Sequence, residues 1–278
     1  MIRRLGMDDV MAKVPALPAL PQIVKHILDS LANENVDLDS LGSVIASDPA
    51  VAVRLLAAAN TGMFGGHKVS SLRQAMMLLG IGRVKQITLA TAIIDRFKAP
   101  LPFDVSYLWR HSLAVAVCAQ DIARHADVDP EVAYIAGLLH DIGQLLIFAA
   151  DPYGYAEIFS LREGGGSLAA LENEHLGLNH ADVGGELARR WNLPDDIVEA
   201  ISRHHTLDAD PPASELADVV HVAAALAHAL DLDGSTNNIV PPLSDFSAAR
   251  LGIDWDQFAS HFPLIEARYD GALLTLGL

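Results

Sequence analysis

The stretch Ala136-Gly137-Leu138-Leu139-His140-Asp141-Ile142-Gly143 places a histidine and a carboxylate side by side in the most apolar part of the chain. Its surroundings predict a helix from Pro130 to about Ala149, with His140 and Asp141 turned away from solvent. A carboxylate inside an apolar helix needs a cation or a dense set of hydrogen bonds, so Asp141 is the informative member of the pair. Neighbouring helical residues point about 100° apart, which lets the two side chains grip one metal from two sides.

Working outward, the flanking segments also have helical spacing. A helix is expected from about Tyr107 to Ala126, with His111 on one face with Val115, Cys118 and Ile122. Further helices are expected over Ala169 to His175, over Ala181 to Trp191, and from Leu193-Pro194 to His204-His205. His180 lines up with Gly184, Leu187 and Trp191. Several helices that each turn one or two ligands inward form the usual frame of a bundle metal site. The candidate ligands are His111, His140, Asp141, His180, His204 and His205, a donor set suited to one or two divalent ions such as iron, manganese or zinc. The histidines at 26, 67, 125, 175, 221, 228 and 261 read as solvent-facing, turn or packing positions.

Toward the N-terminus, Pro15, Pro18 and Pro21 pace a lead-in, and Ile23, Ile27, Leu28 and Leu31 recur at helical spacing. Asp48-Pro49 is a cap followed by a proline at the first helical position. Ser70 or Ser71 opens a segment closed by Gly80, and Val84 to Phe97 continues as a helix. Residues 98–103 are rich in proline and divide the chain. The expected organisation is an N-terminal helical subdomain over 1–100, a helical bundle over 101–235 carrying the histidines, and a loop and helical tail over 236–278. The fold class is all-α. Among 278 residues, 51% are hydrophobic and only 6% aromatic, which suits a helical core.

Composition limits the function. A formal net charge of -16 disfavours a phosphate-binding surface, so no nucleic-acid partner is expected. The single cysteine, Cys118, excludes an internal disulfide and fits a reducing compartment. The N-terminus lacks the apolar core of a signal peptide, and the segment 133–150 is interrupted by His140, Asp141 and Gln144. No membrane association is expected, and the localisation read from these features is cytoplasmic.

The histidines and the phrases around them resemble the HD superfamily of metal-dependent phosphohydrolases. More specifically, 17–228 resembles the HDOD family, the HD-related output domains of bacterial signalling. The matching phrases include Leu17-Pro18-Ala19-Leu20-Pro21, Ser47-Asp48-Pro49-Ala50, Trp109-Arg110-His111-Ser112, Ala136 to Gly143, His180-Ala181-Asp182-Val183-Gly184 and Trp191-Asn192-Leu193-Pro194. The resemblance implies an HD-like helical bundle and a role in signal transduction. It also implies that active HD enzymes carry a late ligating Asp, and Ala224 stands at that position. Asp218 lies too early on the same helix to replace it. The expectation is a non-catalytic or weakly catalytic regulatory module that contacts signalling proteins and carries a divalent-metal site. Its alternative is a metal-dependent phosphohydrolase acting on a nucleotide or cyclic dinucleotide, with Asp141 as the catalytic candidate. No receiver, GGDEF-like or kinase segment is recognised, so a signal is expected to arrive by contact or through a small ligand.

Overall fold

The protein is described from a computed structural model covering residues 3–13, 21–31, 38–60, 69–97, 105–162, 167–206, 212–234, 240 and 243–278. The glycine-rich stretches 61–66 and 164–166, which read as turns from sequence, the join at 98–103 and most of the proline lead-in lie outside these residues. The helices in chain order are α1 (Met7–Met11), α2 (Gln22–Leu31), α3 (Leu38–Ala46), α4 (Pro49–Ala59), α5 (Leu72–Leu79), α6 (Ile81–Arg96), α7 (Val105–Ala123), α8 (Pro130–Leu139) and α9 (Gly143–Ala150). They continue with α10 (Pro152–Arg162), α11 (Leu168–Leu176), α12 (His180–Arg190), α13 (Asp195–Arg203), α14 (Glu215–Ala229), α15 (Asp245–Leu251), α16 (Trp255–Phe258) and α17 (Phe262–Leu276). Among the described residues there is no strand, and the fold is all-α.

The chain divides into two compact units. One comprises residues 19–99 and 270–278, the other residues 1–18 and 100–269. The first eighteen residues and most of the tail therefore belong to the histidine-bearing unit. In the smaller unit, Asp48 caps α4 by accepting from the amides of Ala50 and Val51, with Pro49 at the first helical position. Ser71 caps α5 through the Gln74 amide. Asn60 ties the end of α4 to Val69, donating to the carbonyls of Leu56 and Val69 and accepting from the Val69 amide.

In the larger unit α7 is the central helix. From Leu108 to Ala123 only Arg110 and Gln120 are even half exposed, as expected of a helix that is apolar all round. It packs along α8 and α14, while α12 lies against α13 and α9. Cys118 sits inside it as a small core residue, its thiol pushed up by burial. Buried ion pairs fasten later elements to this core. Asp121 binds Arg124 and Arg268 at 2.5 Å each and His261 at 2.9 Å, holding the start of α17 to α7. Asp218 of α14 is fully buried against Arg250 of α15, so it is committed away from the histidines.

The expected continuous helix from Pro130 to Ala149 is broken at His140-Asp141-Ile142. Here the hydrogen bonds tighten to three-residue steps, from the Ile142 amide to the Leu139 carbonyl and from the Gln144 amide to the Asp141 carbonyl. The segment 130–150 is long and apolar enough to cross a membrane, yet 89% of its apolar eighteen-residue stretch is buried inside the protein.

Gly143, the first residue after the break, fixes how closely α9 approaches α12. A Cβ there would lie 2.0 Å from the His180 carbonyl oxygen and 2.7 Å from the Gly184 amide nitrogen. Both contacts are with backbone, so they cannot be relieved by turning a side chain. Gly143→Ala should therefore destabilise the protein by roughly 1–3 kcal/mol or more in urea unfolding, by forcing α12 outward. An unchanged midpoint would show that the two helices have room to part.

Candidate metal centre

Asp141 is the hub of the site. Its Oδ2 lies 3.4 Å from His140 Nε2 and 3.9 Å from His111 Nε2, and its Oδ1 lies 3.0 Å from His180 Nε2 and 3.9 Å from His204 Nε2. Each carboxylate oxygen thus faces its own pair of imidazoles. His205 adds a fifth ring, with its Nε2 3.0 Å from that of His180. The structure brings all six sequence-predicted residues together, drawn from α7, the α8–α9 break, the start of α12 and the end of α13. Five are buried. His205 is exposed, contrary to the inward orientation expected for it, and stands at the edge of the cluster.

Local structure explains why the rings point inward. His140 and His204 occupy the C-caps of α8 and α13, where the last carbonyls lack amide partners. Each ring folds back and donates from Nδ1 to the carbonyl three residues earlier, Gly137 for His140 and Ile201 for His204, at 2.8 Å in both cases. His180 and His111 use buried carboxylates instead. His180 Nδ1 lies 2.6 Å from Glu172, and His111 Nδ1 lies 2.8 Å from Asp233. With Nδ1 anchored in all four rings, Nε2 is the atom left to face the centre, as in histidines that ligate metals.

Sequence reasoning missed the anchoring carboxylates and the tyrosines behind them. Tyr155 donates its hydroxyl to Glu172 at 2.6 Å, and Tyr107 donates to Asp233 at 3.2 Å. Two further histidines stand beside the cluster. His228, read as an ordinary packing position, stands with its ring 4.7 Å from that of His111 and its Nδ1 3.5 Å from Asp233. His221 donates to the His204 carbonyl at 3.1 Å and accepts the Ser244 amide at 3.2 Å, bracing the end of α13 against the segment before α15.

The electrostatics of the rings differ with what each one faces. Burial, with the neighbouring His111 and His180 adding to it, lowers His140 to about 4 despite the Asp141 carboxylate. Burial and the surrounding imidazoles hold His204 well below the usual histidine range, so both rings are neutral near pH 7. His180 goes the other way. Burial would lower it, but Glu172 and Asp141 on its two sides raise it to about 10. Burial would raise Asp141, but the histidines around it hold it well below the ordinary carboxylate range.

The donor set fits a divalent ion. His204 Nε2 is buried without a hydrogen-bond partner, which is costly unless something electrophilic accepts its lone pair. Among the described residues the geometry offers three ligand groups, His111-His140-Asp141, His180-His204-His205 and His111-His228-Asp233, and the two oxygens of Asp141 link the first two. A bridging carboxylate between two imidazole sets is suited to a pair of ions.

The HDOD domain family matches residues 17–207, more than half of the chain. The crystal structure of an HDOD domain protein of unknown function from Geobacter sulfurreducens superposes with a TM-score of 0.76 at 26% identity, covering 96% of this chain and 97% of that one. An uncharacterized protein of Treponema pallidum is 26% identical over 203 residues, which is 72% of this chain and 39% of its own length. A ribonuclease Y of Desulfotalea psychrophila is 34% identical over 120 residues, which is 43% of this chain and 18% of that protein. The chain thus spans well under half the length of these two relatives.

Two outcomes follow for the purified protein. Prepared without chelator, it should carry about one equivalent or more of iron, manganese or zinc by plasma mass spectrometry, and Asp141→Ala should carry almost none. An equal metal content in both would remove Asp141 from the centre. Stripped of metal, the protein should be most stable near pH 6.5 and weaken on both sides. Toward acid, unfolding lets His140 and His204 take up protons they cannot hold when folded, so stability falls between pH 6.5 and about 4. Toward base, His180 keeps its proton longer when folded than unfolded, so its contribution is lost between pH 6.5 and about 10. Urea midpoints that do not change with pH across this range would mean that the cluster is electrostatically inert.

Proposed function

The chain belongs to the HDOD family, and from that premise we propose that it is a regulatory module of bacterial signal transduction that acts by contact with protein partners. A divalent-metal centre at Asp141 holds its larger unit together. The observation that carries the non-catalytic part of this reading is the set of groups around the six ligands. Among the described residues, every hydrogen bond and ion pair they make is with histidine, carboxylate or backbone, and none is with lysine or arginine. A phosphodiester substrate needs cations for its non-bridging oxygens and a base for the attacking water. Glu172 and Asp233 are already engaged by histidine and tyrosine donors, so neither is available as that base. Ala224 on α14 adds no carboxylate, and the net charge of -16 disfavours a nucleic-acid partner.

A second reading is a metal-dependent phosphohydrolase of nucleotides or cyclic dinucleotides. It is favoured by the division of four imidazoles between the two oxygens of Asp141, an arrangement that could orient water between two ions. The likeness to a ribonuclease Y over 120 residues points the same way.

One experiment separates the readings. Manganese-loaded protein should release no product above the metal-only blank from cyclic dinucleotides, bis-p-nitrophenyl phosphate or short RNA, and Asp141→Ala should behave identically. Turnover that is present in the wild type and lost in Asp141→Ala would establish the hydrolase and overturn the regulatory reading.

A further inference from the structure

The four histidines around Asp141 are not held alike. His140 and His204 lean on backbone carbonyls, whereas His180 and His111 lean on carboxylates that are 0% and 1% exposed. The two carboxylate arrangements repeat one pattern, in which a tyrosine hydroxyl donates to a carboxylate that accepts Nδ1–H from an inward-facing imidazole. Tyr155, Glu172 and His180 serve the half at Asp141 Oδ1, while Tyr107, Asp233 and His111 serve the half at Oδ2. Two divalent ions carry more positive charge than the single Asp141 carboxylate can neutralise in a buried site. Glu172 and Asp233 supply further negative charge just outside the ligands, where it also makes each imidazole a stronger donor.

The two arrangements differ in strength. Glu172 spreads its three donors over both oxygens at short distances, with Tyr155 at 2.6 Å on Oε1, and His180 Nδ1 at 2.6 Å and its own amide at 2.8 Å on Oε2. The distances at Asp233 Oδ2 are longer, 2.8 Å to His111 Nδ1 and 3.2 Å to the Tyr107 hydroxyl, with His228 Nδ1 3.5 Å away. His228 Nδ1 thus faces the same oxygen that anchors His111. Short charge-assisted hydrogen bonds are the stronger ones, so the His180 half is the better prepared to receive an ion.

We propose that Glu172 and Asp233 are positioning carboxylates that set the metal affinity of the two halves separately, so that the centre fills stepwise, first at His180 and then at His111. This rests on the metal centre proposed above and concerns how its two halves are tuned.

The test is titration calorimetry of the chelator-stripped full chain with Mn²⁺. Wild type should bind in two phases. Asp233→Asn should weaken the second by about 10–100-fold and leave the first nearly unchanged, and Glu172→Gln should do the reverse. His228→Phe, which removes the ring nitrogen facing Asp233 but leaves Asp233 in place, should tighten the second phase a few-fold. Thermal melts in chelator separate a loss of fold from a loss of affinity. If Asp233→Asn fails to fold, the His228→Phe titration decides, and an unmoved second phase there overturns the proposal. Equal weakening of both phases by either carboxylate variant also overturns it. Failure of the wild type to bind Mn²⁺ at all would instead remove the metal centre itself.

Discussion

One buried carboxylate constrains the larger unit more than any other group. Asp141 sits in a helix break with 6% of its surface exposed and imidazole nitrogens on both of its oxygens. Burying a carboxylate without compensation costs several kcal/mol, so the surrounding helices must deliver positive or polarisable partners. They do so from four places in the sequence, at positions 111, 140, 180 and 204. The close approach of α9 to α12 at Gly143 brings His180 within reach, and the α8–α9 break turns Asp141 inward. The packing of the bundle and the geometry of the centre are therefore one problem with one solution.

Helix ends solve much of it. A helix terminates with carbonyls that have no amide partner, and a histidine at the C-cap can use one of them to fix its own ring. His140 and His204 both do this, with the same three-residue return and the same distance. This orients two ligands with no contribution from outside their own helix. His180 opens α12 and His111 lies inside α7, so neither has such a terminal carbonyl and both depend on carboxylates brought from elsewhere. Glu172 comes from the preceding helix, whereas Asp233 comes from 122 residues away along the chain.

That difference also explains what was legible in the sequence. The six candidate ligands could be picked out because each sits in or beside an apolar helical pattern, where a polar group demands an explanation. The caps at Asp48 and Ser71 were legible because capping depends on a few adjacent residues. Asp233 was not, because it lies in a polar stretch after α14 where one more aspartate carries no signal. Glu172 looked like an ordinary polar residue among Glu and Asn neighbours, although the fold buries it completely. His228 shows the same limit. Its importance comes from its position beside His111, which depends on how α14 packs on α7. The break at 140–142 was also hidden, since its residues suit a continuous helix and only the His140 ring, turned back on Gly137, marks the place where it stops.

Folding and catalysis ask different things of such a site. Folding asks that every buried ring be anchored and that the central anion be matched by a cation. Those conditions are met on the protein side by four anchored Nδ1 atoms, two outer carboxylates and an orphaned Nε2 on His204. Catalysis on a phosphate ester asks in addition for groups that face a substrate, such as a cation for its oxygens and a free base for water. These belong to the rim of a site and contribute little to the core. A chain can therefore lose the second set while packing preserves the first, because removing one member of a buried cluster leaves its partners uncompensated. Retention of the histidines is then the expected result of their burial, and the functional question turns on the residues that face outward.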